Sequence, residues 1–402
     1  MIELFVYLLL TVLQFVYFKI VKCNILVTIN TIFQTLIAIG AFTAVSMGKY
    51  ENGELLLYPF IILAILNFVT NTLLNAKIKI IIDNLTHNKV IGKLALLFVV
   101  FSVYYFTTHF MDVIDLYISG EYLMRYLEVH DEDYAFYDNI FDRIIINYLD
   151  YLYVIVLFYG FVLLSTQNTI RGIIIIVILS LYRLLASIET SSRTDMFTLV
   201  ILFLTFYLLF RDYLSHKFKV WFRIFGLSTI GVISFFAILV TSSRFEGEVL
   251  TDWIFKYFGF SIIDFHDVVC STIRFRDGSY FFKYLRLVFP SLNQTALYTR
   301  DFGHGFLPAF GQLYLDFVWW WLLVYIPLIY FINRYVHIKK SSLPSLYLLL
   351  FMYVYVFIGN LYCKNDFISI AMCIVIFTIL SFGEEKRKNN NKFRKVACQN
   401  PK

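Results

Sequence analysis

The sequence contains little charge: only 15% of its 402 residues are Asp, Glu, Lys or Arg, whereas 60% are hydrophobic. The mean hydropathy is +0.73. A water-soluble domain needs more polar residues than this to cover its surface, so a soluble globular protein is excluded. The apolar residues occur in runs of about 17–23, the length of helix that crosses the hydrocarbon core of a bilayer. The predicted fold class is therefore all-α, a polytopic integral membrane protein.

Several common signatures are missing. The five cysteines are scattered singly, without the C-x-x-C spacing of a redox or zinc site. The amino-terminal stretch has no basic leader before its apolar run, so it does not fit a cleavable signal peptide. The acidic triplet Asp131 to Asp133 is more typical of a solvated acidic run than of a metal motif. We therefore predict no metal site and no cofactor.

The basic residues indicate the orientation of the chain. They account for the net charge of +6 and lie mainly in short connections between apolar runs, which argues against a nucleic-acid partner. If the amino terminus is outside, the connections after the first, third, seventh and ninth runs all lie on one side with the basic tail. The positive-inside rule makes that side cytoplasmic, so we predict N-out and C-in.

About eleven runs are long enough to span a bilayer. They lie near 2–18, 24–46, 55–74, 94–111, 148–165, 172–188, 196–211, 224–241, 312–332, 343–360 and 367–382. The spans predict one transmembrane domain, 1–383, followed by a basic cytoplasmic tail, 384–402. Two large extracytoplasmic loops, about 112–147 and 242–311, follow from the same count. Within the second loop, the stretch from Tyr280 to Pro290 predicts an amphipathic helix in the outer membrane interface.

The step Thr-Ser-Ser-Arg occurs twice, ending at Arg193 and at Arg244. The predicted topology places both arginines at the outer boundary of the membrane. Each could simply extend its side chain to lipid phosphate. Alternatively, the two guanidinium groups could bind a diphosphate, because a planar fork donates two hydrogen bonds to neighbouring phosphate oxygens. Ser192 and Ser243 would add hydroxyl donors, and Arg193 begins a helix, where backbone amides also favour an anion.

Other polar residues add to this candidate site. Arg183 lies well inside the sixth span, where it is either functional or paired with a buried acid such as Asp150 or Glu189. A transferase also needs a base for the acceptor hydroxyl. The outward candidates for this base are Glu246, Asp264, His266, Asp267 and His304, of which His304 and Asp264 are favoured and His266 is the next choice. Secondary candidates for the site are Arg183, Arg274, Arg286, Arg300 and Tyr257.

Three short motifs carry a resemblance to a known family. They are SSRTDM from Ser191, SSRFEG from Ser242 followed by YFGFSIIDF, and GHGFLPAFGQLYLDF from Gly303. Over roughly 185–335 and in its plan of two large outer loops, the chain resembles the bacterial oligosaccharide repeat-unit polymerases, the O-antigen polymerase-like membrane glycosyltransferases.

The resemblance implies a metal-independent polymerase at the outer face of the bacterial plasma membrane. Its substrates would be oligosaccharide repeat units linked to a polyprenyl diphosphate, and its product a surface polysaccharide of the O-antigen or capsule type. Arg193 and Arg244 would hold the diphosphate of the donor. A chain-length regulator and a flippase would be its partners, together with membrane lipid.

Two alternatives stay open. A flippase or transporter for the same lipid-linked sugars would need similar polar groups, although transporters tend to place charge near the membrane midplane. A ligase that moves the finished glycan to another acceptor would share the donor chemistry, so the two arginines do not discriminate it from a polymerase.

Overall fold

The computed structural model of the chain describes residues 1–48, 50, 54–75, 89–121, 140–165, 169–190, 193–224, 250–270, 309–338, 342–359 and 373–382, together with 226, 228, 231 and 235. Most of these residues are helical, and no β-strand occurs among them. The predicted all-α class is confirmed. The chain divides into two compact units, the first formed by Met1–Lys79 with Thr251–Phe377 and the second by Ile80–Leu250 with Thr378–Lys402.

The helices are numbered in chain order. They are α1 (Ile2–Ile20), α2 (Ile25–Ser46), α3 (Leu57–Leu74), α4 (Lys89–Ser119), α5 (Ile140–Leu164), α6 (Thr169–Glu189), α7 (Arg193–Phe210), α8 (Leu250–Cys270), α9 (Ala309–Phe317), α10 (Leu322–Ile338), α11 (Leu343–Gly359) and α12 (Cys373–Phe382). A 3₁₀ turn, Arg211–Tyr213, follows α7, and 216–224 are again helical.

The described helices have the character of membrane spans. Five of them, α1, α2, α3, α6 and Val90–Ser119 of α4, are long and apolar enough to cross a bilayer. The number rises to six if α5 counts as one span with a 50° bend between Ile144–Asp150 and Leu152–Leu164. Each of these helices exceeds or matches the length that a hydrocarbon core requires. The chain is a multi-pass, all-α membrane protein.

Asparagine residues fix the start of α2 to the end of α3. Asn24 caps α2, since its side chain accepts a hydrogen bond from the Val27 N–H at 2.9 Å. The Asn24 amide group also donates to the Leu74 carbonyl at 2.9 Å, and its backbone N–H donates to Asn75 Oδ1 at 3.0 Å. A cap of this kind satisfies backbone groups that a helix end leaves open. The start of α2 is thereby fixed to the end of α3.

Helix α8 corrects the predicted loop. The sequence analysis placed 242–311 in an outer loop, but 250–270 form a helix whose second half is buried. Gly259 makes this possible, because α8 and α2 approach each other closely at this residue. A Cβ atom added there would lie 2.5 Å from the Ala41 nitrogen and 2.6 Å from the Gly40 carbonyl carbon. The predicted interfacial helix from Tyr280 to Pro290 lies outside the described residues.

Gly259→Ala is expected to lower the free energy of unfolding by about 1–3 kcal/mol, the usual cost of overpacking. The added methyl group meets backbone atoms of α2, which cannot rotate away. Thermal unfolding in detergent measures the change. Gly160→Ala should cost less because it meets the Ile176 side chain, and Gly231→Ala, with no atom within 4 Å, should be neutral or slightly stabilising. Equal effects at Gly259 and Gly231 would contradict the close contact.

The second unit uses small residues in the same way. Gly160 of α5 and Gly172 of α6 face each other, and a Cβ atom on Gly172 would lie 2.9 Å from the Gly160 carbonyl oxygen. Small residues let membrane helices approach closely and pack by dispersion. Phenylalanine rings then fill the space between α5 and α7, with Phe158 and Phe161 against Phe206 and Phe210.

Several predicted spans have different bounds in the structure. Helix α4 extends to Ser119, because Val113 and Leu116 are buried while Asp112 and Asp115 lie on its exposed side. Helix α5 begins at Ile140 rather than 148. Both ends of the predicted loop at 112–147 are therefore helical, over 112–119 and 140–147. The predicted span 312–332 is divided between α9 and α10 by a turn in which Val318 has a φ of +51°.

Candidate functional site

The carboxyl-terminal end of α6 carries a buried carboxylate. Glu189 is enclosed by the protein, and its Oε2 accepts a hydrogen bond from the Tyr105 hydroxyl of α4. Its Oε1 lies 2.9 Å from Nδ1 of His109, one turn further along α4. The Tyr105 and His109 rings stack with centroids 4.6 Å apart. We call Tyr105, His109 and Glu189 the Glu189 cluster. These contacts hold the end of α6 against α4.

The Glu189 cluster also contains the ligand types that bind metal ions. Asp112 Oδ2 lies 4.0 Å from His109 Nδ1, and the ligand atoms of His109, Asp112 and Glu189 lie within 4.8 Å of one another. In the part of the chain that the structure describes, this is the group that could surround one ion. The hydrogen bonds from Tyr105 and His109 already satisfy the Glu189 carboxylate, so the arrangement is stable as a hydrogen-bonded cluster.

Arg183 lies further inside the same helix and pairs with Asp150. Its Nη1 lies 2.5 Å from Asp150 Oδ1, and its guanidinium carbon lies 4.5 Å from the centre of the Tyr153 ring. Tyr182 donates a hydrogen bond to the same carboxylate oxygen at 3.1 Å. Asp150, one of the two acids proposed from the sequence, is thus a partner of Arg183. Arg183 thus has a structural role between α5 and α6, since its guanidinium is buried and neutralised.

The two sets of polar residues are neighbours. The rings of Tyr105 and Tyr182 meet at 5.1 Å, which joins the Glu189 cluster to the Arg183–Asp150 pair. Directly after Glu189 and Thr190 the chain reaches Arg193, the first residue of α7. Three residues of chain span at most about 11 Å, so the backbone of Arg193 lies within that distance of Thr190. Arg193 therefore lies close to the end of α6, which the Glu189 cluster holds in place.

His266 of α8 is held on both sides in the first unit. Its Nε2 accepts a hydrogen bond from the Leu56 N–H at 2.8 Å, and its Nδ1 lies 2.9 Å from Asp267 Oδ1. The Tyr50 hydroxyl donates to that same aspartate oxygen at 2.8 Å, and the ring of Phe60 stacks on the imidazole. Because both ring nitrogens are engaged, His266 links α8 to the start of α3. This arrangement does not favour His266 as a free general base.

Cys270 is a further neighbour of His266. Its sulfur lies 3.4 Å from Nε2 of His266, one helical turn away, in an arrangement that resembles a thiol beside its base. Burial raises the pKa of the Cys270 thiol. A raised pKa disfavours the thiolate, which is the form that a nucleophilic cysteine requires.

The other predicted site residues fall into three groups. Asp264 is buried in α8, rather than exposed in an outer loop as the sequence analysis expected. Arg193 is the first residue of α7 and Tyr257 lies in α8, but the side chains of both are outside the described part. The remaining predicted residues lie outside the described residues altogether: Ser192, Ser243, Arg244, Arg274, Arg286, Arg300 and His304.

The residues that bind Glu189 were not predicted from the sequence. Tyr105 and His109 lie 84 and 80 residues before Glu189, and no motif connects the two segments. A usable signal was the pairing of His109 with Asp112, three residues apart at the end of an apolar run. Compared with known proteins, the chain matches no family model, no curated protein and no solved structure.

Proposed function

We propose that this protein polymerises oligosaccharide repeat units linked to a polyprenyl diphosphate, at the outer face of a bacterial plasma membrane. The observation that supports the proposal best is the polar end of α6. Glu189 is fixed there by Tyr105 and His109, and the motif arginine Arg193 follows within four residues. Buried charged residues in membrane helices are costly and are a mark of function.

The chemistry of the reaction explains the need for arginines. Cleavage of the anomeric bond leaves negative charge on the diphosphate of the donor. Fixed cations at that position stabilise the transition state more than the ground state. In the proposal, Arg193 and Arg244 supply them as bidentate forks, with Ser192 and Ser243 as additional donors. No metal ion is required for this step.

The proposed topology has about eleven spans with the amino terminus outside. Two contacts support the alternation. Tyr105 and His109, in the carboxyl-terminal half of α4, meet Glu189 at the carboxyl-terminal end of α6, so α4 and α6 run parallel. Tyr7 and Tyr17 of α1 contact Phe60 and Phe68 of α3 in the same order, so α1 and α3 also run parallel. When consecutive helices cross a membrane in opposite directions, every second helix runs in the same direction.

The acceptor hydroxyl needs a base, and the three predicted candidates are not equally suited to this role. Both nitrogens of His266 are engaged, which makes it the weakest of the three predicted catalytic residues. We therefore propose His304 for this role, with Asp264, which is buried in α8, as the second choice. A chain-length regulator and a flippase are the proposed protein partners, because repeat units have to be delivered and the polymer length has to be set.

A flippase for the same lipid-linked sugars is the second candidate. It is favoured by a buried set of amide side chains in the first unit. Asn30 donates to Asn71 Oδ1 at 2.6 Å, and Asn71 donates to Gln34 Oε1 at 3.2 Å, all within helices of membrane-spanning length. Polar groups inside a membrane often mark substrate paths. A ligase, in contrast, would use the same donor site as the polymerase.

One reconstitution experiment separates the three functions. Purified protein in liposomes is supplied with lipid-diphosphate repeat units, and the products are separated by gel electrophoresis. A ladder of products is the expected result and indicates a polymerase. A single transfer to a different acceptor would indicate a ligase, and movement of the substrate between leaflets without reaction would indicate a flippase. Either of the last two outcomes would overturn the proposed function.

A further inference from the structure

A small cavity lies inside the first unit between α1, α2, α3 and α8. Four polar side chains line it, Tyr7, Gln34, Asn67 and Ser261, together with three aliphatic ones. The volume open to the centre of a water molecule is about 10 Å³. That is close to the volume that one water molecule requires. The cavity therefore has room for a ligand of two or three atoms at most, which excludes a sugar or a lipid chain.

Two of the lining groups are buried and have unused hydrogen-bonding capacity. Gln34 is 4% exposed and Ser261 is 1% exposed. Gln34 Nε2 and Ser261 Oγ have no hydrogen-bond partner among the described residues. Buried polar atoms in folded proteins are nearly always hydrogen-bonded, either to protein or to ordered water. These two atoms belong to one cavity, so one ligand can satisfy both.

The surrounding amide network determines which polar atom of Gln34 is left without a hydrogen-bond partner. Asn71 donates to Gln34 Oε1 at 3.2 Å, and Asn71 Oδ1 in turn accepts from Asn30 at 2.6 Å. The carbonyl oxygen of Gln34 is thus used, whereas its amide nitrogen has no hydrogen-bond partner among the described residues. A ligand at this position has to accept a hydrogen bond from Gln34. A metal cation cannot do so, and no charged side chain lines the cavity to balance an anion.

We propose that Gln34 and Ser261 bind one buried water molecule. The water accepts a hydrogen bond from Gln34 Nε2 and exchanges another with Ser261 Oγ, and its remaining hydrogen faces the Tyr7 and Asn67 side of the cavity. Water suits the site because it both donates and accepts. Helix α8 is then fixed to α2 in two ways: by direct contact at Gly259 and through water at Ser261. This inference is independent of the proposed enzymatic function.

A high-resolution structure of the protein in lipid nanodiscs tests the proposal directly. The expected result is one compact density peak within hydrogen-bonding distance of both Gln34 Nε2 and Ser261 Oγ. Three results would overturn it: no peak in the cavity while other buried waters are visible, elongated density from a lipid or detergent chain, or direct contact between the two side chains.

A double-mutant cycle tests the shared partner in solution. Ser261→Ala, Gln34→Leu and the double variant are compared by their thermal midpoints in detergent. If both residues hold the same water, the double variant should lose less than the sum of the two single losses. Thr11→Val is the matched control, since the Thr11 hydroxyl is buried but donates to the Leu8 carbonyl of its own helix. Thr11→Val combined with Ser261→Ala gives the additive reference. Losses for Gln34→Leu and Ser261→Ala that add up in the same way would overturn the proposal.

Discussion

Arg193→Ala and Arg244→Ala are each expected to abolish polymer formation while the amount of protein in the membrane stays unchanged. Under the proposed function, each change removes a cation that stabilises the departing diphosphate. Loss of a single transition-state hydrogen-bond donor lowers kcat by about 100- to 1,000-fold, and loss of a charged fork should cost at least as much. The measurement is the product ladder from reconstituted protein, with protein level followed by immunoblot.

Lysine at the same positions refines the test. A lysine keeps the charge but donates as a single point rather than as a planar fork, so Arg193→Lys and Arg244→Lys should recover only part of the activity. Arg171→Ala is the matched control: this exposed arginine lies on α6, near its opposite end, and its loss should leave the ladder intact. Full-length polymer from both alanine variants would refute the diphosphate site.

Asp150→Ala is expected to lower the free energy of unfolding by about 3 kcal/mol, near the lower end of the cost of leaving a buried charge unpaired, because the Asp150 side chain is itself partly exposed. The carboxylate neutralises Arg183, whose side chain is only 2% exposed, across a 2.5 Å contact. Without it, a guanidinium group lies inside a helix of membrane-spanning length, next to the Tyr153 ring. Unfolding in detergent with increasing dodecyl sulfate measures the loss.

Removing Arg183 instead of Asp150 should cost less stability, and this variant serves as the control. Arg183→Met leaves Asp150, whose side chain is 37% exposed and keeps the hydrogen bond from the Tyr182 hydroxyl. The double variant with both changes should regain most of the stability that Asp150→Ala loses, because no buried charge remains. Equal losses from the two single variants, or strict additivity in the double variant, would contradict this account.

The apolar runs predicted most helices because polar residues mark their ends. The predicted span 24–46 corresponds to α2 (Ile25–Ser46), which begins directly after its capping residue Asn24, and 55–74 corresponds to α3 (Leu57–Leu74). Hydropathy placed the end of α4 too early, since it counts Asp112 and Asp115 as boundaries. In the helix, Asp112 and Asp115 are exposed while Val113 and Leu116 between and beside them are buried, so the helix continues past the charges.

The candidate site was less predictable, because its contacts join distant segments. A charge inside a span, Arg183, signalled a buried partner, and Asp150 was one of two named in advance. The partners of Glu189 were not predicted, since Tyr105 and His109 lie about 80 residues earlier and only the spacing of His109 and Asp112 pointed to a polar cluster on α4. Helix α8 was missed for a related reason. Its lysine and acidic residues resemble a loop, and only the packing of Gly259 on α2 shows why a helix is buried there.

The contact between α8 and α2 also constrains how the protein is made. Gly259 and Ser261 are synthesised more than 200 residues after their partners in α2. At about 5–20 residues per second, a ribosome needs roughly 10–40 s to cover that interval. During this time Gln34 and the small residues Gly40 and Ala41 have no α8 to cover them. Until α8 arrives, the groove of α2 at Gly40 and Ala41 is therefore open to lipid or to other helices.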